Sequence, residues 1–306
     1  MERDLNRGKN IFVIGSSNTD MVVKSEKLPA AGETILGGTF LMNAGGKGAN
    51  QAVAAAKLGA EVTFVSKVGD DIFGKQAIQG FQKEGINTDF VFTDVENPSG
   101  VALILVDAKG ENSIAVASGA NGNLQISEVA KAIERISTND TVLLQLEIPI
   151  PTVEFAIKKC YESGAKVILN PAPAQMLDET VFQYLDIITP NETEAELLTG
   201  IKVTDLETAE QAALKFHEKG VKNVIITLGS KGAYLHNSTT NRLITAPVVK
   251  AVDTTAAGDV FNGALAVALS EGNDLEQAIE FACKAAAISV TRMGAQASAP
   301  LRSDVC

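Results

Sequence analysis

Short apolar runs rich in β-branched residues alternate along the chain with longer stretches of helical periodicity. The run Ile11–Gly15 predicts a strand, and the alanine-rich stretch Ala49–Leu58 predicts a helix that ends at Gly59, a residue type that often follows a helix terminus. Further strands are predicted at Val62–Val68, Thr141–Leu146, Val167–Leu169, Asp186–Thr189 and Val224–Leu228. Further helices are predicted at Phe73–Glu84, Val153–Glu162, Glu192–Thr199, Thr208–Lys219, Gly258–Ser270 and Leu275–Val290. This alternation predicts an α/β fold whose parallel sheet is covered by helices on both faces.

Two regions interrupt the alternation and predict a smaller sheet. Met21–Phe40 is rich in Gly and Pro, and Val101–Val106 with Ser113–Ala117 predicts a β-hairpin. Together they would project from the main domain, as flaps that close over ligands often do. A further antiparallel pair is predicted at Ala233–His236 and Leu243–Ala246. Since the sequence contains no fixed-period repeat and no low-complexity linker, we expect one domain over all 306 residues.

The charge balance narrows the classes of partner. The chain has 26 Lys and Arg against 37 Asp and Glu, a net charge of −11, within an ordinary globular composition that is 45% hydrophobic. Nucleic-acid-binding proteins and proteins that bind anionic membrane surfaces are usually basic. We therefore expect neither a nucleic acid nor a membrane as partner.

The N-terminus and the cysteines indicate a cytoplasmic protein. Met1–Asn10 is polar and lacks the apolar core of a signal peptide, and no stretch approaches the ~20 apolar residues of a membrane span. The three cysteines, Cys160, Cys283 and Cys306, are widely spaced and odd in number, which is typical of reduced thiols.

A segment of small residues, Asp253-Thr254-Thr255-Ala256-Ala257-Gly258-Asp259, runs directly into a predicted helix. The first N–H groups of a helix lack intrahelical partners, and together with the helix dipole they form an anion site. Asp259 in the first turn could accept a proton from a hydroxyl held near a phosphate. The alternative, an aspartate that only stabilises the helix dipole, is slightly favoured when the segment is taken alone.

A second glycine-rich segment, Asn43–Asn50, also leads into a helix and suits a polar or anionic ligand. It is not a P-loop, because Gly48 follows Lys47 where that motif requires Ser or Thr. It also lacks the last glycine and the preceding strand of a dinucleotide-binding motif. The alternative is a loop in which glycine merely permits the turn into the helix.

Polar residues follow several predicted strands. They are Gly15–Asp20, Glu147, Asn170, Asn191 with Glu194, and Thr227–Gly232. Open α/β sheets bind ligands at the carboxyl ends of their strands, so these residues could converge on one site. Taken alone, Gly15–Asp20 is better explained as a turn. The alternatives are an acidic first helical turn for Glu192–Glu196 and an ordinary hairpin turn for Thr227–Gly232.

Taken together, these segments resemble the ribokinase/PfkB family of sugar kinases. Gly45–Ala52 is similar to the first signature of that family and Asp253–Asp259 to its second, C-terminal one. The resemblance extends from about Ile11 to Pro300, and alanine at Ala256 favours the ribokinase-like branch. It implies a three-layer α/β/α fold with a mostly parallel central sheet. It also implies a β-sheet lid from about residues 17–42 and 97–119, through which two chains would form a homodimer.

The resemblance implies ATP-dependent phosphorylation of D-ribose at its 5-hydroxyl, with ribose 5-phosphate and ADP as products. The implied sugar ligands are Asn18, Asp20, Gly46, Lys47, Asn50 and Glu147. Asp259 would be the base, and the N–H groups of Ala257, Gly258 and Asp259 would stabilise the transferring phosphoryl group. The implied ATP-binding residues are Asn191, Thr227, Gly229, Ser230, Lys231, Gly232, Gly258 and Cys283.

The resemblance also implies two cations. Glu194 would organise Mg²⁺ through water. A monovalent cation, K⁺, would bind mostly backbone carbonyls at Asp253, Thr255, Ser289, Arg292, Gly294 and Ser298. The alternatives are a related kinase acting on deoxyribose, fructose, a nucleoside such as adenosine or a ketodeoxy sugar acid, and a non-catalytic sugar-binding regulator.

Overall fold

The computed structural model describes residues 10–306, in which two β-sheets and nine α-helices alternate along the chain. The strands are β1 (Ile11–Ile14), β2 (Asn18–Lys24), β3 (Thr39–Gly45), β4 (Val62–Gly69), β5 (Asn87–Asp94), β6 (Gly100–Val106), β7 (Asn112–Ala117), β8 (Thr141–Leu144), β9 (Lys166–Leu169), β10 (Ile187–Ile188), β11 (Asn223–Thr227), β12 (Ala233–His236) and β13 (Asn241–Ile244). The helices are α1 (Lys47–Lys57), α2 (Ile72–Lys83), α3 (Ile126–Ile133), α4 (Ile150–Glu162), α5 (Glu192–Thr199), α6 (Leu206–Glu218), α7 (Ala257–Ser270), α8 (Leu275–Ser289) and α9 (Arg302–Val305).

The larger sheet has nine strands in the order β13-β12-β11-β10-β9-β8-β1-β4-β5. The strands from β11 to β5 pair in parallel, and β12 and β13 add an antiparallel edge. The predicted, mostly parallel sheet is confirmed. The strand order reverses between β1 and β8: β4 and β5 follow on the β1 side, and β9, β10 and β11 follow on the β8 side. Such a switch point opens a crevice at the carboxyl ends of the strands.

Helices bury both faces of this sheet and complete the three predicted layers. One apolar cluster joins α3, α4, α5 and α6 to the sheet, and the other joins α1, α7 and α8. In the second cluster α1 and α7 pack closely because Gly263 has no side chain. A Cβ built there would lie 2.8 Å from the Cβ of Ala54 and from the backbone oxygen of Gln51. This contact places the first turns of α1 and α7 side by side.

The smaller sheet has the order β3-β2-β6-β7 and comes from the two regions in which it was predicted. β2 pairs in parallel with β6 and antiparallel with β3, and β7 pairs antiparallel with β6. Its apolar side chains are largely exposed, among them Phe40 at 60%, Leu103 at 55% and Ile114 at 55%. This sheet therefore offers an apolar surface that the single chain leaves uncovered.

The predicted elements are found with small shifts in their ends. For example, α1 begins at Lys47, two residues before the predicted start, and α8 ends at Ser289, one residue before the predicted end. β5 and α3 have no counterpart among the predicted elements.

Two further sequence predictions, on membrane spans and on the cysteines, can be compared with the described residues. Within residues 10–306 no helix is long and apolar enough to cross a membrane. Cys160, Cys283 and Cys306 are free thiols, and the first two are buried. The polar N-terminal segment lies, up to residue 9, outside the described residues.

Candidate active site

The polar segments predicted from the sequence meet at the carboxyl edge of the larger sheet, beside the switch point. The start of α1 lies against the loop that follows β1, and this approach requires glycine. A Cβ at Gly48 would lie 2.6 Å from the backbone of Gly15 and Ser16. Gly46 has a φ of 89°, and a Cβ there would lie 2.6 Å from the backbone nitrogen of Asn18. The glycines thus serve close packing of two loops, which positions Lys47 and Asn50 over the strand ends.

Asp259 lies in the first turn of α7 and is only 6% exposed. Its two carboxylate oxygens accept hydrogen bonds from two side chains of α1. Asn50 Nδ2 donates to Oδ2 at 2.9 Å, and Gln51 Nε2 donates to Oδ1 at 3.0 Å. Burial raises the pKa of Asp259, while Lys47, Asn50 and Gln51 act in the opposite direction. Each carboxylate oxygen has a second lone pair, so Asp259 can still accept a proton.

Four polar residues, Asn18, Asp20, Asn50 and Glu147, lie beside Asp259, and we call this group the polar pocket. Asn50 bonds Asp259, Asp20 lies near Glu147 and Asp259, and Asn18 and Glu147 line a cavity of about 360 Å³. Glu147 is anchored through one oxygen, because its Oε2 accepts from Ser16 Oγ at 2.5 Å and from the backbone N–H of Lys47 at 3.0 Å.

The pocket holds its acidic groups close together. Burial, with Glu147 and Asp259 nearby, raises the pKa of Asp20 to about 6. Burial acts to lower the pKa of Lys47, but the surrounding carboxylates, Asp259 first, outweigh it, and the pKa of Lys47 lies above its ordinary value. The pocket therefore combines carboxylate acceptors with a charged donor.

One buried atom of the polar pocket suits a hydroxylated ligand. The side-chain oxygen Oδ1 of Asn50 is buried and has no hydrogen-bond partner, while its Nδ2 is held by Asp259. A buried amide oxygen without a donor costs free energy, and a ligand hydroxyl would supply the missing bond. The Asn18 amide is also fixed by the protein, but it leaves its nitrogen for a ligand. Its Oδ1 accepts from Asn121 Nδ2 at 2.8 Å, and its own Nδ2 is left to donate.

A cavity of about 690 Å³ opens on the other side of Asp259, between the loops after β10 and β11 and the helices α7 and α8. Seven of the eight residues predicted to bind ATP line it: Asn191, Thr227, Gly229, Ser230, Gly232, Gly258 and Cys283. Lys231 is exposed and lines a separate, smaller cavity of about 120 Å³. The α8 side of the large cavity is apolar, with Ala286, Ala287 and Val290 beside Cys283. Such a wall suits the flat face of a base.

The first turn of α7 faces the large cavity. Its cap residue Ala256 adopts the left-handed conformation with a φ of 60°, where glycine is ordinarily favoured. A Cβ built on Gly258 would meet no atom within 4 Å, so a ligand can approach this part of the backbone. The N–H of Ala257 donates to the carbonyl of Thr254 at 3.2 Å. The free N–H groups of a helix start can therefore act on an anion from Gly258 and Asp259 most directly.

The six residues predicted to bind a monovalent cation come from two neighbouring segments that Asp253 joins. Its Oδ1 accepts from the N–H of Thr255 at 3.0 Å, and its Oδ2 accepts from the N–H of Gly294 at 2.9 Å. Burial opposes ionisation of Asp253, but these hydrogen bonds hold its pKa below its ordinary value.

The other predicted cation ligands could act through backbone carbonyls. The hydroxyls of Ser289 and Ser298 donate to carbonyls of their own segments, and the Arg292 guanidinium pairs with Asp304 at 3.1 Å. Backbone carbonyls beside one carboxylate fit a hard cation such as K⁺. No cluster of three His, Cys, Asp or Glu that could hold a metal ion occurs in the described part of the chain.

Glu194 lines the large cavity from the first turn of α5. It forms a capping box with Asn191, in which Glu194 Oε2 accepts from the Asn191 N–H at 2.9 Å and Asn191 Oδ1 accepts from the Glu194 N–H at 2.8 Å. Burial raises the pKa of Glu194. Its oxygens fit the predicted contact to a Mg²⁺-bound water, since Mg²⁺ usually keeps several waters.

Three buried amides of the site were not predicted as site residues: Gln51, Gln145 and Asn121. Gln145 interrupts an otherwise apolar run, and Gln51 lies within the first signature segment, Gly45–Ala52; these are the signals that the sequence offered for them. Asn121 lies in a short turn after β7 and bonds Ser17 and Asn18, 104 and 103 residues earlier in the chain. Such a distant contact leaves no local pattern.

The chain is similar over nearly its whole length to known carbohydrate kinases. A family model described as pfkB family carbohydrate kinase matches residues 9–302. The ribokinase of Haemophilus influenzae is 47% identical over 97% of this chain and 97% of its own length. The deoxyribokinase of Salmonella typhimurium is 41% identical over 95% of each chain. The structure of Arabidopsis thaliana ribokinase complexed with ribose and ATP is similar with a TM-score of 0.88, at 36% identity over 98% of each chain.

The match is specific as well as long. Both signature segments lie within the matched residues, and the structure brings them together around Asp259. The chain therefore belongs to the pfkB family of carbohydrate kinases and is a phosphotransferase.

Proposed function

We propose that the chain transfers the γ-phosphoryl group of ATP to the 5-hydroxyl of D-ribose, giving ribose 5-phosphate and ADP. The observation that carries this proposal is the position of Asp259. Its buried carboxylate separates a polar pocket suited to hydroxyls from a large cavity that ends at a helix N-terminus. Relatives named as ribokinases, one of them complexed with ribose and ATP, support the same substrates.

The polar pocket would hold the sugar through its hydroxyls. Asp20 and Glu147 accept hydrogen bonds, Lys47 donates, Asn18 donates through Nδ2 and Asn50 accepts through Oδ1. Gly46 allows the backbone to approach the sugar closely. This arrangement would leave the 5-hydroxyl beside Asp259, because that carboxylate is the group shared by the pocket and the large cavity.

Phosphoryl transfer would proceed in one displacement. Asp259 accepts the proton of the 5-hydroxyl as the oxygen forms a bond to the γ-phosphorus. The bond between that phosphorus and the β-phosphate oxygen breaks, and ADP leaves with the electron pair. The free N–H groups of Gly258 and Asp259 stabilise the negative charge on the transferring group, whereas the N–H of Ala257 is held by Thr254.

Two cations complete the proposal. Mg²⁺, held through water by Glu194, would offset the charge of the ATP phosphates. K⁺ beside Asp253 would add positive charge near the helix start and hold two loops in place. Asn191, Thr227, Gly229, Ser230 and Gly232 would lie along the nucleotide, with Cys283 against the base.

We also propose a cytoplasmic homodimer formed through the smaller sheet. The exposed apolar side chains of that sheet support a covered surface, and the free thiols support a reducing compartment. Sedimentation or light scattering of wild type and Ile114→Asp tests the dimer. A dimer that the substitution dissociates is expected, and a monomeric wild type would contradict it.

A deoxyribose kinase is the second candidate, because a deoxyribokinase is 41% identical over nearly the whole chain. ADP release measured with Mg²⁺ and K⁺ separates the two when ribose, deoxyribose, fructose and adenosine are compared. We expect kcat/KM to be about tenfold or more higher for ribose, since a missing hydroxyl leaves buried polar groups unpaired. Preference for another sugar would keep the kinase activity but assign a different substrate. If no sugar causes ADP release, a non-catalytic sugar-binding protein is favoured.

A further inference from the structure

A row of buried amides, Gln145, Gln51 and Asn170, connects the ends of two strands to Asp259. Gln145 Nε2 donates to Gln51 Oε1 at 2.6 Å, and Gln51 Nε2 donates to Asp259 Oδ1 and to Asn170 Oδ1, both at 3.0 Å. Gln51 and Gln145 are 0% exposed. Asn170 Nδ2 in turn donates to the carbonyl of Thr189 at 3.2 Å. These hydrogen bonds connect the helix α7, which carries Asp259, to the ends of β8 and β9 through α1.

Only one orientation of the Gln51 amide satisfies these contacts. The Thr189 carbonyl can only accept, so Asn170 must turn its nitrogen to Thr189 and its oxygen to Gln51. An ionised Asp259 also can only accept. Gln51 therefore presents its NH₂ group to both, and its oxygen receives the N–H of Gln145.

The groups that face Asp259 explain why this contact matters. Asp20, Glu147 and Glu194 are negative neighbours, Lys47 is the positive one, and burial further disfavours the carboxylate. Asn50 and Gln51 donate the neutral hydrogen bonds that oppose this effect. Asn50 also carries the unpartnered oxygen that suits a ligand, whereas Gln51 has all its bonds within the protein.

We propose that Gln51, oriented by Asn170 and Gln145, is a positioning residue for phosphoryl transfer. Its hydrogen bond fixes Oδ1 of Asp259, so that the free lone pairs of the carboxylate are directed toward the sugar hydroxyl. The same bond favours the ionised, proton-accepting form of Asp259. This role rests on the proposed function, because it assigns Asp259 as the base.

The first test compares Gln51→Met with wild type. Methionine has a similar length but no donor, so Asp259 would lose one charge-assisted hydrogen bond. At saturating ribose we expect kcat at pH 6 to fall about ten- to hundredfold, with partial recovery at higher pH. The acid limb of the kcat profile should move upward by about one pH unit, because the carboxylate becomes harder to ionise. The KM for ribose should stay within about threefold, because Gln51 has its bonds within the protein.

Two further variants make the test decisive. Gln82→Met, an exposed change of the same type on α2, is the matched control and should match wild type. Gln145→Met should move the acid limb in the same direction by less, and it decides the question if Gln51→Met does not fold. An even loss of kcat at all pH values, with the limb unmoved, would show a merely structural role and overturn the proposal.

A measurement without turnover separates the two proposals. The carboxyl ¹³C resonance of Asp259, assigned by its loss in Asp259→Asn, is titrated in wild type and Gln51→Met. A higher pKa in the variant supports the positioning role, and an unchanged pKa refutes it. If wild type releases no ADP with any of the four candidate acceptors, the proposed function fails, and this titration still decides whether Gln51 controls Asp259.

Discussion

At the scale of single residues, the polar pocket concentrates acidic groups that water would otherwise solvate separately. Asp20, Glu147 and Asp259 interact, and burial raises the pKa of both aspartates. Asp20 is then half ionised at about pH 6 instead of being fully charged. The proposed acceptor for sugar hydroxyls is thereby made sensitive to mild acid.

Ribose affinity should depend on the ionisation of Asp20. The carboxylate accepts hydrogen bonds that its protonated form cannot fully make, so affinity is complete above about pH 6 and falls as the pH drops through that value. We expect Kd, measured by calorimetry, to be about tenfold weaker at pH 5 than at pH 7.5. Asp20→Asn should bind weakly at both values. Equal wild-type affinities would contradict the role of Asp20.

Asp259→Asn should remove catalysis and spare sugar binding. The amide cannot accept the proton, and losses for a general base are typically about 10²- to 10⁴-fold. We expect kcat to fall in this range while ribose Kd changes by less than about threefold. One of the donors Asn50 and Gln51 will also lose its acceptor, so thermal melting must accompany the kinetics. Near-normal kcat in a folded variant would exclude Asp259 as the base.

Much of this site was predictable from local sequence. Lys47, Asn50 and Asp259 lie in segments whose small residues and helix starts mark them. Gln51 and Asn121 were not predicted, because their roles depend on partners more than one hundred residues away. Lys231 was expected at the nucleotide, but it points to another cavity, since the turn after β11 presents Gly229, Ser230 and Gly232 instead.

At the scale of elements, the site depends on two helix starts and two loops that join them to the sheet. α1 and α7 approach closely at Gly263, and Asp253 ties the loop before α7 to the loop after α8. β5 was not predicted because it is a half-buried edge strand with many polar residues, and α3 has only eight residues. Neither element contributes a predicted site residue, so the site remained predictable without them.

Replacement of K⁺ by Na⁺ should lower activity at equal ionic strength. The smaller ion fits carbonyls of this segment less well and would hold the loop before α7 less firmly. Asp253→Ala, which removes the bonds to Thr255 and Gly294, should abolish the difference between the salts and lower kcat in both. Rates of ADP release in the two salts provide the measurement. Equal wild-type rates would count against a K⁺ site.

At the scale of the whole molecule, the smaller sheet joins the rest of the chain beside the polar pocket. β2 begins at Asn18, and β6 begins at Gly100, where a Cβ would lie 2.1 Å from Oδ1 of Asn18 and 2.2 Å from Nδ2 of Asn121. A ligand at Asn18 therefore touches the attachment of the sheet directly. This geometry favours a lid that responds to sugar.

Ribose should slow hydrogen exchange in the lid. We expect added protection in residues 21–40 and 101–117, because closure would shield their backbone amides. Helix α6, none of whose residues lines either of the two cavities beside Asp259, serves as the internal control and should not change. Exchange that is the same with and without saturating ribose would contradict closure of this sheet.

The position of the transferred phosphate tests the account most directly. The reaction of ATP with D-ribose is followed by proton-coupled ³¹P NMR, with Asp259→Asn in parallel. An ester on the exocyclic CH₂ group couples to two protons and gives a triplet, and we expect this signal to grow only with wild type and only with ribose. A doublet from an ester on a ring carbon, or no new ester at all, would contradict a kinase that phosphorylates the 5-hydroxyl of ribose.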